Sequence, residues 1–430
     1  MSTLSKPNIV LITLHDTGRH FGCYGVPSVV SPHIDQLAAE GVRFSSHFAT
    51  APVCSASRGA LTTGRYPQRN GLMGLTHSPW LWEMNPGEQH ISHLLRSAGY
   101  ETILGRFQHE TEDVSTLGFD RHLVMEEIGA HRAAPAITEY IRARGRGDRP
   151  MYLQLGFFET HTPYDYDGCA PDDERGVWVP PWVVENDGAR AHFAGLQGMV
   201  RRVDEAIGAT LEAIRDIGLE DDTLIVFTVD HGVEVGGRAA KWSLYDAGLE
   251  TALVMRWPGG GIDGGRTCDA LLSNVDVLPT ILELSGVDSP TEFDGMSFSA
   301  QARGVSNDEV RESLFAIWVH DGMRCVRTPR YKLIRNFAPK RRRAVPVDLS
   351  SGRWATMEQL PFVELYNLET DPHELVDLAP DPEWASVGAA LDAKLLDHLR
   401  ALDDPILRGP VHMPYYDLAM ESVAAPWPRT

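Results

Sequence analysis

Residues 8–14, Asn-Ile-Val-Leu-Ile-Thr-Leu, form an apolar run of strand length with almost no polar alternation. A strand with one face in water alternates, so a run that does not alternate must be covered on both faces, as in the centre of an α/β sheet. The same texture returns at Met151–Phe158 and Leu224–Val229. Between these runs lie helical patterns. Ser31-Pro32 precedes Ile34, Leu37 and Ala38, and Gly41 follows, which predicts an N-cap serine, a proline in the first position and a C′ glycine. Val200, Val203, Ile207, Leu211 and Ile214 place an apolar stripe on a helix ahead of the third strand. Strand and helix in alternation predict an α/β fold. Beyond about residue 300 the texture changes. Ser313–Val319 and Tyr331–Ile334 read as short antiparallel strands, Lys340-Arg-Arg-Arg343 as a solvated basic loop, and Ala389–Leu402 as a helix. Two units are therefore expected, residues 1–304 and a smaller α+β domain over 305–430.

Polar residues crowd the ends of the three strands: His15-Asp16 after the first, Glu159-Thr160-His161 after the second, Asp230-His231-Gly232 after the third. In open α/β sheets ligands sit outside the carboxyl ends of the strands, so these residues form one candidate site. The acidic excess, 59 Asp and Glu against 39 Lys and Arg, gives a formal charge of −20 that repels polyanions. Nucleic acid is not an expected partner. A small anion still is, where Arg, Lys, His and a metal reverse the sign inside one cleft. No run approaches the roughly 20 apolar residues of a membrane span, and the N-terminal residues lack an apolar targeting core, so the expectation is a cytoplasmic protein with no membrane partner. The five cysteines, Cys23, Cys54, Cys169, Cys268 and Cys325, are scattered without CxxC spacing, which fits neither a disulfide framework nor a zinc knuckle.

The most specific stretch is Cys54-Ser-Ala-Ser-Arg58-Gly-Ala-Leu-Thr-Thr-Gly64-Arg65. It predicts a short helix stopped by Gly64 with Cys54 at or just before its N-terminus. A thiol there, with Arg58 one turn on, is expected to be activated and exposed. The alternative is a buried structural cysteine. The stretch resembles the Cys-x-Pro/Ala-x-Arg signature of the type I sulfatases, with Ala56 where proline is usual. Further resemblances run in order along the chain: Pro7–Val10 leading to His15-Asp16, Ser31–Ala38, Val229-Asp-His-Gly232 with Lys241 downstream, Arg256-Trp-Pro-Gly259, Asn274–Thr280, and Leu365-Tyr-Asn-Leu368 with Asp371-Pro372.

This resemblance implies an alkaline-phosphatase-like sandwich, with a large mixed, mostly parallel sheet and a smaller C-terminal domain with an antiparallel sheet. It implies metal-dependent hydrolysis of a sulfate ester or sulfamate by a formylglycine made from Cys54 by a maturation enzyme. One hydroxyl of the hydrated aldehyde attacks sulfur, and deprotonation of the other expels sulfate. It assigns metal ligation to Asp16, Cys54, Asp230 and His231, the nucleophile's support to Arg58, the sulfate to Lys241 and the leaving oxygen to His161. One divalent ion is implied, calcium by family. His15 stands where the family has the first of two aspartates, so with His231 it offers a second imidazole, which suits Mn2+ or Zn2+ if His15 ligates and leaves calcium if it stands aside. In Gly105-Arg106-Phe107-Gln108-His109, Arg106 matches a family lysine and His109 lies one position late. Tyr66–His77 is similar to the sulfamidase branch, which implies a small, sugar-linked sulfated substrate with His77 and His109 near it. Pro79-Trp80-Leu81-Trp82 reads equally as pocket wall or core, and Asp276 as a helix cap. A phosphonate monoester or phosphodiester hydrolase on the same fold is the alternative, an inactive binder of sulfated glycans a lesser one, and an oligomer of identical chains is compatible with either.

Overall fold

The computed structural model describes residues 6–235, 240–343, 347–350 and 357–424. Eight strands make the large sheet: β1 (Asn8–Leu14), β2 (Val42–Phe44), β3 (Glu101–Leu104), β4 (Arg121–His122), β5 (Met151–Gly156), β6 (Thr223–Val229), β7 (Leu253–Arg256) and β8 (Arg266–Cys268). Across the sheet they run β4-β3-β5-β1-β6-β7-β2-β8. β7 alone of the eight is antiparallel to its neighbours, so the sheet is mixed and mostly parallel. β1 is buried along its whole length between β5 and β6, with Val10 beside both Leu153 and Ile225.

The missing alternation in β1 has a direct cause. Val10, Ile12 and Leu14 enter one core, and Ile9 and Leu11 enter another on the opposite face. The first core is closed by α1 (Pro32–Glu40), and the second shares Leu61 of α2 (Cys54–Thr63). α3 (Ala130–Arg144) and α4 (Asp187–Asp216) complete the first through Ile137, Ile141, Val200 and Ile207. α5 (Val277–Leu284) covers the other face through Leu278 and Ile281.

The ends of α1 differ from the sequence expectation. The Ser31 side chain makes no capping bond to the helix; it accepts from the Gly22 amide at 3.1 Å and donates to Asp35 at 3.1 Å. The first-turn amides of His33 and Ile34 donate instead to the buried Asp204 carboxylate from α4, at 3.2 and 2.8 Å. A tertiary carboxylate thus does what a local serine was expected to do. Gly41 has φ −106 and is not left-handed. It is glycine because a Cβ there would lie 2.3 Å from the Met255 carbonyl oxygen.

A second, four-stranded antiparallel sheet runs in chain order: β9 (Leu314–Trp318), β10 (Met323–Arg327), β11 (Tyr331–Asn336) and β12 (Val363–Asn367). One face packs Val326, Leu333 and Leu365 on Leu391, Leu395 and Leu399 of α6 (Ala385–Ala401). The other packs Ala316, Trp318, Met323 and Cys325 into one core with Val53, Cys54 and Ala56. The backbone of Arg341–Arg343, expected as a loop, pairs antiparallel with Met357–Gln359, which satisfies its peptide groups as a ladder. Among the described residues no helix is long and apolar enough to cross a membrane.

Arg324 on β10 and Asp404, beyond α6, form a fully buried bidentate pair at 2.6 and 2.8 Å. Burial disfavours the ionised carboxyl, but Arg324 and the Ile406 amide hold Asp404 below its ordinary value. Its stabilising effect is therefore complete above the usual carboxylate range and fades as pH falls through the depressed value. Asp404→Asn, which strands Arg324 in the interior, is expected to cost about 3–5 kcal/mol in chemical denaturation. It should also flatten the acid limb of the stability curve; a cost near zero would contradict this account.

Candidate active site

β5, β1 and β6 lie side by side, so their carboxyl ends deliver three loops to one place. The chain leaves β1 through His15 and turns at Asp16, whose φ of 46 is unusual for a residue other than glycine but accessible to aspartate. The turn is fixed by the Asp16 amide donating to Asp230 Oδ1 at 3.1 Å. The next residue, Thr17, and Thr160 from the β5 end both donate hydroxyls to the His15 carbonyl. α2 points its N-terminus into the junction. Its Arg58 donates through Nε to Asp230 Oδ2 at 3.0 Å and through Nη2 to the Leu14 carbonyl at 3.1 Å.

Cys54, the first residue of α2, has its sulfur 3.4 Å from His231 Nε2 and 3.8 Å from Asp16 Oδ1. The thiol is 1% exposed. The expectation of an exposed, activated thiol is therefore corrected: burial, with Asp230 and Asp16 adding to it, raises the thiol's pKa. Arg58 is spent on Asp230 and does not serve the sulfur.

Lys241 Nζ donates to Asp16 Oδ2 at 2.7 Å, lies 3.1 Å from His161 Nε2 and 3.4 Å from Glu234 Oε2. His231 Nε2 is 3.0 Å from Asp16 Oδ1. Burial works against every charge in this cluster, yet Lys241 and His231 hold Asp16 well below the usual carboxylate range, and His231, Arg58 and His15 do the same for Asp230. Reciprocally, the two aspartates hold His231 well above the usual imidazole value despite its burial, and Asp16 keeps Lys241 protonated. His15 behaves oppositely. Burial and then Arg58 push it down to about 4, which makes it a neutral imidazole at pH 7.

Above this cluster opens a cleft of about 580 Å³. His15, Cys54, His161 and Lys241 reach it, together with His77, Trp80, Phe107, His109 and Trp242. His77 and His109 stack at 5.2 Å, with Nδ1 of the first 3.1 Å from Nε2 of the second. Arg106 does not line it: its guanidinium turns to the Ile128 carbonyl at 3.3 Å and the Tyr166 hydroxyl at 3.4 Å. The expected substitution of Arg106 for a catalytic lysine is thus not realised in the cleft, and His109, three residues on, is what this loop presents there. The two tryptophans divide the open readings, Trp80 in the cleft wall and Trp82 packed with Leu72 and Val319. Asp276 closes a capping box with Ser273 and pairs with Arg311, away from the cleft.

Sequence reasoning missed Glu234, which accepts from Thr162 Oγ1 at 3.0 Å and faces Lys241. It also missed Asn274, whose amide nitrogen holds Ser57 Oγ at 2.9 Å while Ser57 donates to the Asp230 carbonyl. Glu234 stands four residues after Asp230, a proximity that was its one available signal. Asn274 had none beyond its place in a recurring segment.

A divalent ion fits here. Donor atoms of His15, Asp16, Cys54 and Asp230 lie within 4.8 Å of one another. Both ring nitrogens of His15 are buried, Nε2 without a hydrogen-bond partner and Nδ1 facing Asp230 Oδ2 at 3.1 Å. Carboxylates with imidazole and sulfur are ordinary donors for such an ion.

Residues 7–287 match the family model described as Sulfatase, and residues 237–349 the one described as N-sulphoglucosamine sulphohydrolase, C-terminal. An ulvan-active sulfatase of Formosa agariphila is 27% identical, over 95% of this chain and 83% of its own length. Human N-sulphoglucosamine sulphohydrolase is 25% identical, over 94% and 92%. A solved structure from work on the metabolism of multiple glycosaminoglycans by Bacteroides thetaiotaomicron shares the fold at TM-score 0.77 and 20% identity, covering 98% of this chain and all of that one. The phosphonate monoester hydrolase of Agrobacterium radiobacter shares it at 0.69 and 20% identity, covering 92% and 95%. With well over half of the chain inside the first family model, and with the site built at the strand ends its sequence marks, this protein belongs to the sulfatase family, the hydrolases of sulfate esters and sulfamates.

Proposed function

We propose that the chain hydrolyses the sulfate ester or sulfamate of a small saccharide, with residue 54 acting as formylglycine after conversion of Cys54 by a maturation enzyme. The observation that carries this reading is the position of the Cys54 side chain: first residue of a helix, at the base of a cleft, between two ionised aspartates and a protonated lysine. A hydrated formyl group there would supply a hydroxyl nucleophile for sulfur and a second hydroxyl whose deprotonation frees the sulfate. Asp16, Asp230 and residue 54 would hold a divalent ion, which when bound neutralises the sulfate and polarises the attacking oxygen.

The chain's own residues do the rest. Lys241, fixed by Asp16, sets a positive charge toward the nonbridging oxygens, in an interior where such a charge acts more strongly than in water. His161 turns Nδ1 to the Thr162 carbonyl, so Nε2 meets Lys241 and the pair holds a proton for the leaving atom. Phe107 and Phe158 exclude water from the side of the cleft next to His15. The cleft volume suits one sugar ring with its substituent, Trp80 offers that ring a flat face, and ulvan, sulphoglucosamine and glycosaminoglycans are named with the relatives. The five cysteines are free, which suits a reducing compartment, and we place the chain in the cytoplasm.

Mass analysis of the Cys54 peptide, from protein made alongside a formylglycine-generating enzyme, is expected to show the aldehyde; fully active protein with a free thiol would refute the nucleophile. Lys241→Ala is expected to lower kcat/KM by about 10²–10³-fold with the fold intact, the scale of losing a charge aimed at a transition state. On matched esters of one sugar alcohol, sulfate should be cleaved in preference to phosphate and methylphosphonate. The reverse order would transfer the assignment to phosphonate monoester hydrolysis.

A further inference from the structure

The carboxylate oxygens around the candidate ion are few and already engaged. Asp16 Oδ2 takes the Lys241 ammonium at 2.7 Å, and Oδ1 lies 3.0 Å from His231 Nε2. Asp230 Oδ1 accepts the amides of Asp16 and His231 at 3.1 and 2.8 Å, and Oδ2 accepts Arg58 Nε at 3.0 Å. Calcium asks for about six to eight oxygen ligands. What the protein has to spare is nitrogen: His15 is 1% exposed, its Nε2 has no hydrogen-bond partner, and its Nδ1 has only Asp230 Oδ2, at 3.1 Å, beside it. A buried polar group left so is costly unless something else binds it. A ring nitrogen of His15 falls within 4.8 Å of donor atoms on Asp16, Cys54 and Asp230.

We infer that His15 ligates the ion, and that the site selects a nitrogen-accepting divalent transition metal of the Mn2+ or Zn2+ class over Ca2+. The inference rests on the sulfatase reading for the presence of an ion and goes beyond it in naming the ligand and the metal class. An imidazole gains most from ions of intermediate softness, whereas Ca2+ gains little from exchanging an oxygen for it.

The test is metal analysis of full-length protein purified without chelator, with Mn2+ and Ca2+ dissociation constants for wild type and His15→Asp, folding checked by circular dichroism. Wild type is expected to carry a transition metal and little calcium, and His15→Asp to shift the ratio of Mn2+ to Ca2+ affinity at least about tenfold toward Ca2+. Stoichiometric calcium in the wild type, or an unchanged ratio of Mn2+ to Ca2+ affinity in the variant, overturns the inference. If His15→Asp fails to fold, pulsed EPR of Mn2+-loaded wild type decides. Coupling to a directly ligating imidazole, that of His15, the one histidine in the donor group, is expected, and no nitrogen coupling overturns it. Turnover enters none of these readouts, so failure to cleave a sulfate ester would count against the proposed function alone.

Discussion

The carboxylate of Asp230 is the pivot of the molecule. It receives the backbone of the β1 turn at Asp16, the backbone of its own neighbour His231, and the guanidinium of Arg58 from α2. Three elements distant in sequence therefore meet on one fully buried negative charge. Removing a single partner from such an arrangement leaves an uncompensated charge in the interior, so geometry and electrostatics are enforced together. The same contacts that orient Asp16 toward the cleft also seat the start of α2, and Asn274 fixes that seat again through Ser57, whose hydroxyl also donates to the Asp230 carbonyl.

A chain with a net charge of −20 nevertheless builds a pocket for an anion. The solution is local. Two ionised aspartates lie at the bottom, but each is matched by cations: Lys241 and His231 for Asp16, Arg58 and His231 for Asp230. A divalent ion added to that balance leaves the cluster positive where it faces the cleft, while the surface charge remains negative.

The fold was largely legible because its central strands carry a clear signal: β1, β5 and β6 are mostly apolar on both faces, and polar residues follow β1 and β6 at once and β5 after two phenylalanines. The α1 ends were misread because the partners of its first amides and of Gly41 come from α4 and β7, contacts without a local trace. In the site, the strand-end residues His15, Asp16, His161, Asp230 and His231 converge as their positions implied, and Cys54, Arg58 and Lys241 meet them. The state of Cys54 was not legible, since its burial depends on a sheet that begins at Leu314. Arg106 was misleading for a related reason. Motif alignment gives a position, not a direction, and the loop after β3 turns this side chain toward Tyr166 while His109 enters the cleft.

The shared core of Val53, Cys54 and Ala56 with Met323 and Cys325 bears on the order of events during synthesis. The start of α2 leaves the ribosome long before the strands that will cover it, so for that interval the cysteine is part of an incomplete core and open to another protein. Once β9 to β12 have closed behind it, the segment is buried and the side chain of Cys54 is reached only through the cleft. A protein that has to grip the chain around Cys54 therefore meets that segment open only while the chain is nascent or unfolded. The C-terminal sheet acts as a clock, and the time for which that segment stays open is set by how quickly the last third of the polypeptide is made and folded.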